Sequence, residues 1–229
     1  MDENQLHEAV AAALKAGADA AEAVFAERQS LSIGVREGAL EEVEREESRD
    51  LGLRVFIGAR QATVSGSDIS AEGRRKLIER AVAMARLAPE DPYAGLAPHD
   101  RLATGPFPDL DLYDGVEPSP EHLETLARDA EAAARSIAGV TNSDGGSASW
   151  STGSWAMATS DGFHGLHRAS SFSLSASAVA GEGSGMERGG EGRTTRHAAD
   201  LPGADAIGLE AGKRAVQRLN ARKIAPTTA

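Results

Sequence analysis

Apolar positions along the chain follow two rhythms. In residues 4–17, Leu6, Val10 and Leu14 recur at i, i+4 and i+8 with alanines between them, the spacing of an amphipathic helix, and Gly17 offers its stop. From about residue 22 the period becomes two. Leu31, Ile33 and Val35 alternate with Ser32, Gly34 and Arg36, as along a strand with one buried face. Glu37-Gly38 reads as a turn into a second strand, ALEEVEREES, and Asp50 opens a third in which Leu51, Leu53, Val55 and Ile57 share a face. Gly58-Ala59-Arg60 then turns the chain into QATVSGSDIS, so residues 22–68 read as an antiparallel meander. Helical spacing returns over residues 70–87, with Ser70 as N-cap, Ile78, Val82 and Ala85 as the buried stripe and Pro89 as terminator.

The stretch APEDPYAGLAPHDRLATGPFPDLDLYDGVEPSPE fits neither rhythm, and its Pro, Gly and Asp content marks a long connection. A third helix follows Ser119-Pro120, with Leu123, Leu126, Ala130, Ala133 and Ile137 on one side. Residues 139–197 form a second β-rich region, punctuated by the hairpin dipeptides Asp144-Gly145 and Asp161-Gly162. Within it, Phe172, Leu174, Ala176 and Ala178 alternate with Ser171, Ser173, Ser175 and Ser177. A last helix spans about 204–220. The pattern therefore predicts an α+β fold of antiparallel β-meanders packed with amphipathic helices, with a weak internal duplication. Its expected organisation is an α+β unit over 1–90, a linker over 91–118 and a second α+β unit over 119–229.

Composition narrows the function classes. Aromatics make up only 4% of the 229 residues, so the core must be built from Ala, Val, Leu and Ile. A net charge of −11 disfavours nucleic acid, whose binding rests on neutralising phosphates. The chain contains no cysteine, which removes disulfides, thiolate nucleophiles and Cys-ligated zinc. Its acidic beginning, MDENQLHEAV, is unlike a secretory signal, and no apolar run has the length of a membrane span, so a cytoplasmic protein is expected, with no membrane partner.

Candidate chemistry is sparse. HEAVAA, residues 7–12, has the His-Glu opening of a zinc-protease helix, but Ala11 and Ala12 stand where a second histidine is needed, and His7-Glu8 reads as a solvated helix face. His164 and His167 in DGFHGLHRAS would point to opposite faces of a strand, while His99, His122 and His197 are isolated. AGEGSGMERGGEGR lacks the Lys of a phosphate loop and has Met186 where a dinucleotide fingerprint needs glycine, so a mobile loop is expected there. Ser184 is displaced from the centre of a G-x-S-x-G elbow, and alternating serines on a strand make a polar face. Seven acidic residues between Glu37 and Asp50 read as a solvated hairpin rather than a cation site. No catalytic, cofactor-binding or metal-ligating residue is assigned in this chain.

The run LSIGVREGALEEVEREESRDLGLRVFIGARQATVSGSDIS resembles the N-terminal region of the TldD/PmbA family, historically named modulators of DNA gyrase. APEDPYAGLA, PDLDLYD, ATSDGFHGLHRASSFSLSASAVAGEGSGMERG and RAVQRLNARKI resemble its PmbA, or TldE, branch. The resemblance implies a subunit of a heterodimeric metalloprotease acting on unfolded or extended peptides. It also implies that zinc belongs to a TldD-like partner carrying H-E-x-x-x-H, with no cofactor in this chain. Family members continue past a segment like LNARKI into a C-terminal β-rich domain, whereas this chain stops at APTTA, so either a fragment or a truncated gene product is expected. The preferred expectation is a non-catalytic subunit presenting peptide, held by strand addition at the hairpin and serine-rich edges. The alternative is a non-proteolytic binding or regulatory module of the gyrase-modulator type. A peptidase built from a self-associated dimer is a weaker third.

Overall fold

The computed structural model describes residues 3–222, so Lys223 and Ile224 of the closing segment lie outside the described residues. The chain runs α1 (Glu3–Lys15), β1 (Ala20–Arg36), β2 (Ala39–Ile57), β3 (Arg60–Gly66), α2 (Ala71–Leu87), α3 (Pro120–Arg135), β4 (Val140–Thr159), β5 (His164–Ala180), β6 (Glu187–Thr195) and α4 (Ala204–Gln217). The order helix, three strands, helix thus occurs twice. The strands form one sheet in the order β3-β2-β1-β4-β5-β6, and the β2–β3 and β5–β6 pairs are antiparallel.

The chain forms two compact units, each assembled from three separate stretches. One comprises residues 1–29, 47–111 and 153–169, the other residues 30–46, 112–152 and 170–229. In the first, Leu6, Val10 and Ala13 of α1 and Leu77, Ile78, Ala81, Val82 and Ala85 of α2 bury against alternate residues of the strands, among them Ala21, Phe25, Leu51, Leu53, Val55 and Val64. Leu14, expected in the α1 stripe, is 37% exposed. At about 100° per residue, position i+7 lies almost above Leu6 whereas i+8 is rotated about 80° away, so Ala13 takes the buried place. Gly17, at φ +105°, ends the helix: Ala18 N–H reaches Ala13 O and Gly17 N–H reaches Leu14 O, satisfying the last carbonyls. Ser70 caps α2 by accepting the Gly73 N–H at 3.1 Å, and hydrogen bonds from Ser70 hold the exposed Asp68 carboxyl below its ordinary pKa.

In the second unit, Leu123, Ala127, Ala130 and Ala134 of α3 and Ile207, Ala211 and Ala215 of α4 cover Leu31, Ile33, Val35, Trp150, Phe172 and Leu174 of the sheet. Leu126, Ala133 and Ile137, expected in the α3 stripe, lie outside the fully buried set. The stripe is turned toward alanine because backbone comes close there. A Cβ on Gly146 of β4 would lie 2.1 Å from Ala127 O, and one on Gly208 of α4 2.0 Å from Ala130 O. Ser170 ties this unit's connections together. Its hydroxyl accepts the Asp114 N–H at 2.7 Å and donates to Arg196 O at 2.7 Å, and its own N–H reaches Leu112 O at 2.9 Å. Replacing Ser170 by Ala strands a donor and an acceptor together and is expected to cost about 2 kcal/mol. The measurement is a lowered urea midpoint at unchanged slope.

Three local expectations need correction. ALEEVEREES and DLGLRVFIG are one uninterrupted strand, β2, because Arg49-Asp50 supplies no turn. Asp144-Gly145 is not a hairpin but lies inside β4, where Gly145 adopts φ +107° and a Cβ would lie 2.5 Å from Val35 O. The mobile loop expected over 180–193 shortens to the connection before Glu187, since β6 pairs with β5 from Ala180↔Glu187 to Phe172↔Thr195. Glycine there serves close packing: a Cβ on Gly189 would meet the Ala215 N at 2.1 Å. The Glu37-Gly38 and Asp161-Gly162 turns stand as expected, with Glu37 at φ +52°, Gly38 at φ +73° and Gly162 at φ +91°.

Candidate functional site

The period-two pattern gives the second unit's strands two unlike faces. Phe172, Leu174, Ala176, Ala178 and Ala180 of β5 are buried, so the intervening Ser171, Ser173, Ser175 and Ser177 occupy the other face. In β4, Ala148 and Trp150 are buried and Ser147, Ser149 and Ser151 alternate with them; in β1, Leu31, Ile33 and Val35 alternate with Ser32 and Gly34. An open trough of about 570 Å³ crosses β2, β1, β4, β5 and β6, floored by Gly34, Ser147, Ser175, Ser177, Gly190 and Gly192. Short side chains keep it shallow and leave hydroxyl and backbone groups accessible.

Its ends differ in charge. Glu41 and Glu42 stand at the β2 end, whereas Arg193 and Arg214 stand at the β6 end. Between them, Asp144 accepts from Ser177 Oγ at 3.3 Å and from Arg188 Nη2 at 3.2 Å. Glu191, whose side chain is only 2% exposed, is paired with both Arg193 and Arg214, the latter's Nη1 lying 2.5 Å from Oε2. Two arginines around one sheltered carboxylate leave local positive charge at this rim.

The outer edge of β6 is covered by guanidinium groups. Arg214 Nη1 donates to Gly190 O at 3.2 Å, Arg218 Nη1 to Arg188 O at 2.5 Å and Arg193 Nη1 to Gly192 O at 2.9 Å. These bonds occupy carbonyls that an added strand would need. β5, the serine-rich strand, lies between β4 and β6 and is no edge over 172–180, which corrects the expected place of strand addition there.

The sequence-level candidates separate in space. His7 of α1 and His164 of β5, unrelated in sequence, meet edge to face with ring centroids 6.3 Å apart. His167 instead lies against Trp155 at 5.9 Å, as a residue an odd number of positions along a strand should. Among the described residues no three His, Asp or Glu side chains come together as a metal site, so a zinc ion does not fit them. Glu8 lines a separate recess of the first unit with Ala12, Arg75 and Ile78. No histidine lines the serine trough, so the Ser-His pairing of a serine nucleophile is not assembled there.

Sequence reasoning missed Glu131. It is 1% exposed, and its carboxylate accepts the Glu37 N–H at 2.6 Å and the Gly38 N–H at 2.8 Å, while Arg128 of the same helix donates to Gly38 O. The signal was present: Glu131 falls on the alanine stripe, four residues after Ala127, where only a partnered charge is tolerated.

A twice-repeated helix, three-strand and helix unit that carries an open polar sheet face defines the class as an α+β scaffold. The sequence pattern of the PmbA/TldA metallopeptidase domain 1 matches residues 21–85, and that of the PmbA/TldA metallopeptidase central domain matches residues 113–219. The chain belongs to the PmbA/TldD family. It is 32% identical to metalloprotease PmbA of Escherichia coli O157:H7, over 96% of this chain and 49% of that protein. It is likewise 32% identical to the PmbA homologue of Haemophilus influenzae, over 94% and 48%. Among solved structures, a candidate modulator of DNA gyrase from Bacteroides thetaiotaomicron shares the fold at a TM-score of 0.89 and 24% identity, over 98% of this chain and 52% of that one. TldE from Thermococcus kodakarensis does so at 0.76 and 18%, over 93% and 46%. The chain spans about half the length of the curated relatives it matches. None of its described helices is long and apolar enough to cross a membrane.

Proposed function

We propose that this chain acts as the PmbA/TldE-like, non-zinc-binding subunit of a two-component metalloprotease, holding unfolded or extended peptide for a TldD-like partner that supplies the zinc. The observation that carries the reading is the serine-lined trough. Exposed hydroxyls and glycine backbone suit a ligand recognised through its main chain, because they offer hydrogen bonds without pockets that select side chains. Resemblance to proteins named metalloprotease PmbA supplies the reaction class.

The test is cleavage of casein by the chain, by a TldD-type protein from the same genome, and by both. Cleavage is expected only from the pair and is lost with a chelator. Ser147→Trp with Ser175→Trp, which fills the trough floor, is expected to raise KM for casein several-fold with little change in kcat. Chelator-insensitive cleavage by the chain alone, or full activity of the TldD-type protein without it, defeats the proposal. A second reading, regulation of gyrase without proteolysis, draws on the descriptions given to similar folds from Bacteroides thetaiotaomicron and Thermotoga maritima. A change in gyrase supercoiling rate on adding the chain, with no casein cleavage by the pair, is the result that favours it.

A further inference from the structure

The two sides of the second unit's sheet end differently. On the β6 side, arginines occupy the outward carbonyls. On the β2 side, β3 pairs only with Leu51–Ile57, although β2 begins at Ala39. From Ala39 to Glu44 the outer edge of β2 therefore has no strand beside it among the described residues, and all six residues are exposed. An edge of this kind presents alternating N–H and C=O groups in extended geometry.

This edge is held in shape. The hairpin turn that starts it is fixed by Glu131 and Arg128 of α3, and Gly34 of β1 packs against it: a Cβ there would lie 3.4 Å from Glu42 Cβ. A strand already ordered costs an incoming segment only its own ordering. The edge is also chemically marked. Glu41, Glu42 and Glu44 project from it, followed by Glu46, and Leu40 and Val43 are 46% and 54% exposed between them. Glu41 meets its counter-charge in a loose surface pair, Arg36 Nη1 to Glu41 Oε1 at 3.8 Å, which neutralises little.

Charge decides the occupant. A second copy of the same edge would set glutamates against glutamates, and an acidic strand would be repelled likewise, because directly opposed like charges destabilise a pair of strands. A strand with Lys or Arg at alternate positions places cations over Glu42 and Glu44 while its main chain completes the ladder. We infer that Ala39–Glu44 is a docking edge for an extended, basic segment of a partner chain, joined by strand addition. The edge shares Glu41 and Glu42 with the β2 end of the trough, but a failure here leaves the peptide-holding reading in place, since that one is tested through cleavage by the zinc-bearing pair.

The test uses the full chain and three fluorescent synthetic decapeptides: alternating Lys and Thr, alternating Glu and Thr, and the Lys peptide N-methylated along one edge. The Lys peptide is expected to bind at least about tenfold more tightly than the Glu peptide, and to weaken as salt rises to about 300 mM. N-methylation should abolish binding, and amide exchange should slow within residues 39–46. Glu42→Lys with Glu44→Lys, two exposed changes, should reverse the preference while leaving the thermal melt unmoved. Equal binding of the Lys and Glu peptides, undiminished binding of the N-methylated peptide, protection confined to other residues, or no binding overturns the inference. Undiminished binding after N-methylation would mark attraction of charge alone.

Discussion

Glu131→Ala is expected to destabilise the protein by about 3 kcal/mol, because it removes a charged acceptor from two turn N–H groups in a buried place. The Glu37-Gly38 turn needs positive φ at both central residues, and Glu37 at +52° is a poor choice for that conformation. The carboxylate of Glu131 compensates by gathering both amides, and Arg128 takes the Gly38 carbonyl. Glu131→Gln keeps one acceptor but turns an NH2 group toward the second donor, so roughly half the loss is expected. Glu37→Gly in the Glu131→Ala background should return about 1 kcal/mol by relieving the left-handed backbone. Urea denaturation of the four proteins measures all of this. As a control, Glu79→Gln on the exposed face of α2 should change stability by no more than about 0.5 kcal/mol. A Glu131→Ala protein as stable as the parent would show that the turn holds without its clasp.

Gly208→Ala should destabilise by about 3 kcal/mol, even though Ala is the better helix former by about 1 kcal/mol. An added methyl would lie 2.0 Å from Ala130 O, 2.7 Å from Ala133 Cβ and 2.9 Å from the Ala134 N. These are mostly backbone atoms of a neighbouring helix, so no rotamer change can relieve the overlap. Gly212 repeats the arrangement one turn on, 2.6 Å from Ala134 O. The two helices therefore touch main chain to main chain, and α3 or α4 must move bodily to admit one carbon. Gly185→Ala is the contrasting case, since a Cβ there meets nothing within 4 Å and its φ is ordinary. It should shift stability by less than about 0.5 kcal/mol. Calorimetric melts of the two variants separate a packing requirement from a general cost of losing glycine.

The element types were legible where burial imposes a period. Leu31, Ile33 and Val35, Leu51 to Val55, and Phe172 to Ala180 announced their strands, and each buried the face expected. Caps read equally well, since Ser70 and Gly17 act through local hydrogen bonds and backbone freedom that their own sequence determines. What stayed hidden depends on distant neighbours. β6 is so rich in glycine that its strand nature comes only from its ladder with β5 and from α4 pressing on Gly189. Asp144-Gly145 imitates a hairpin because the same left-handed glycine serves an irregularity inside β4. The site was half readable: serine alternation marked a polar face, but nothing local placed Glu42, Ser147 and Arg193 along one trough.

The strand order β3-β2-β1-β4-β5-β6 also says something about how the chain reaches this state. Four of its five neighbouring pairs join strands consecutive along the chain, so each three-strand meander closes through short turns. Only β1 with β4 must find each other across roughly a hundred residues, at a loop-closure cost that grows as about 1.5 RT times the logarithm of that length. Ser160 N–H on Ala21 O and the close approach of Gly145 to Val35 O mark that seam. Substitutions at the β1–β4 seam are therefore expected to slow folding and those in the outer strands mainly to hasten unfolding, which stopped-flow folding and unfolding rates measure.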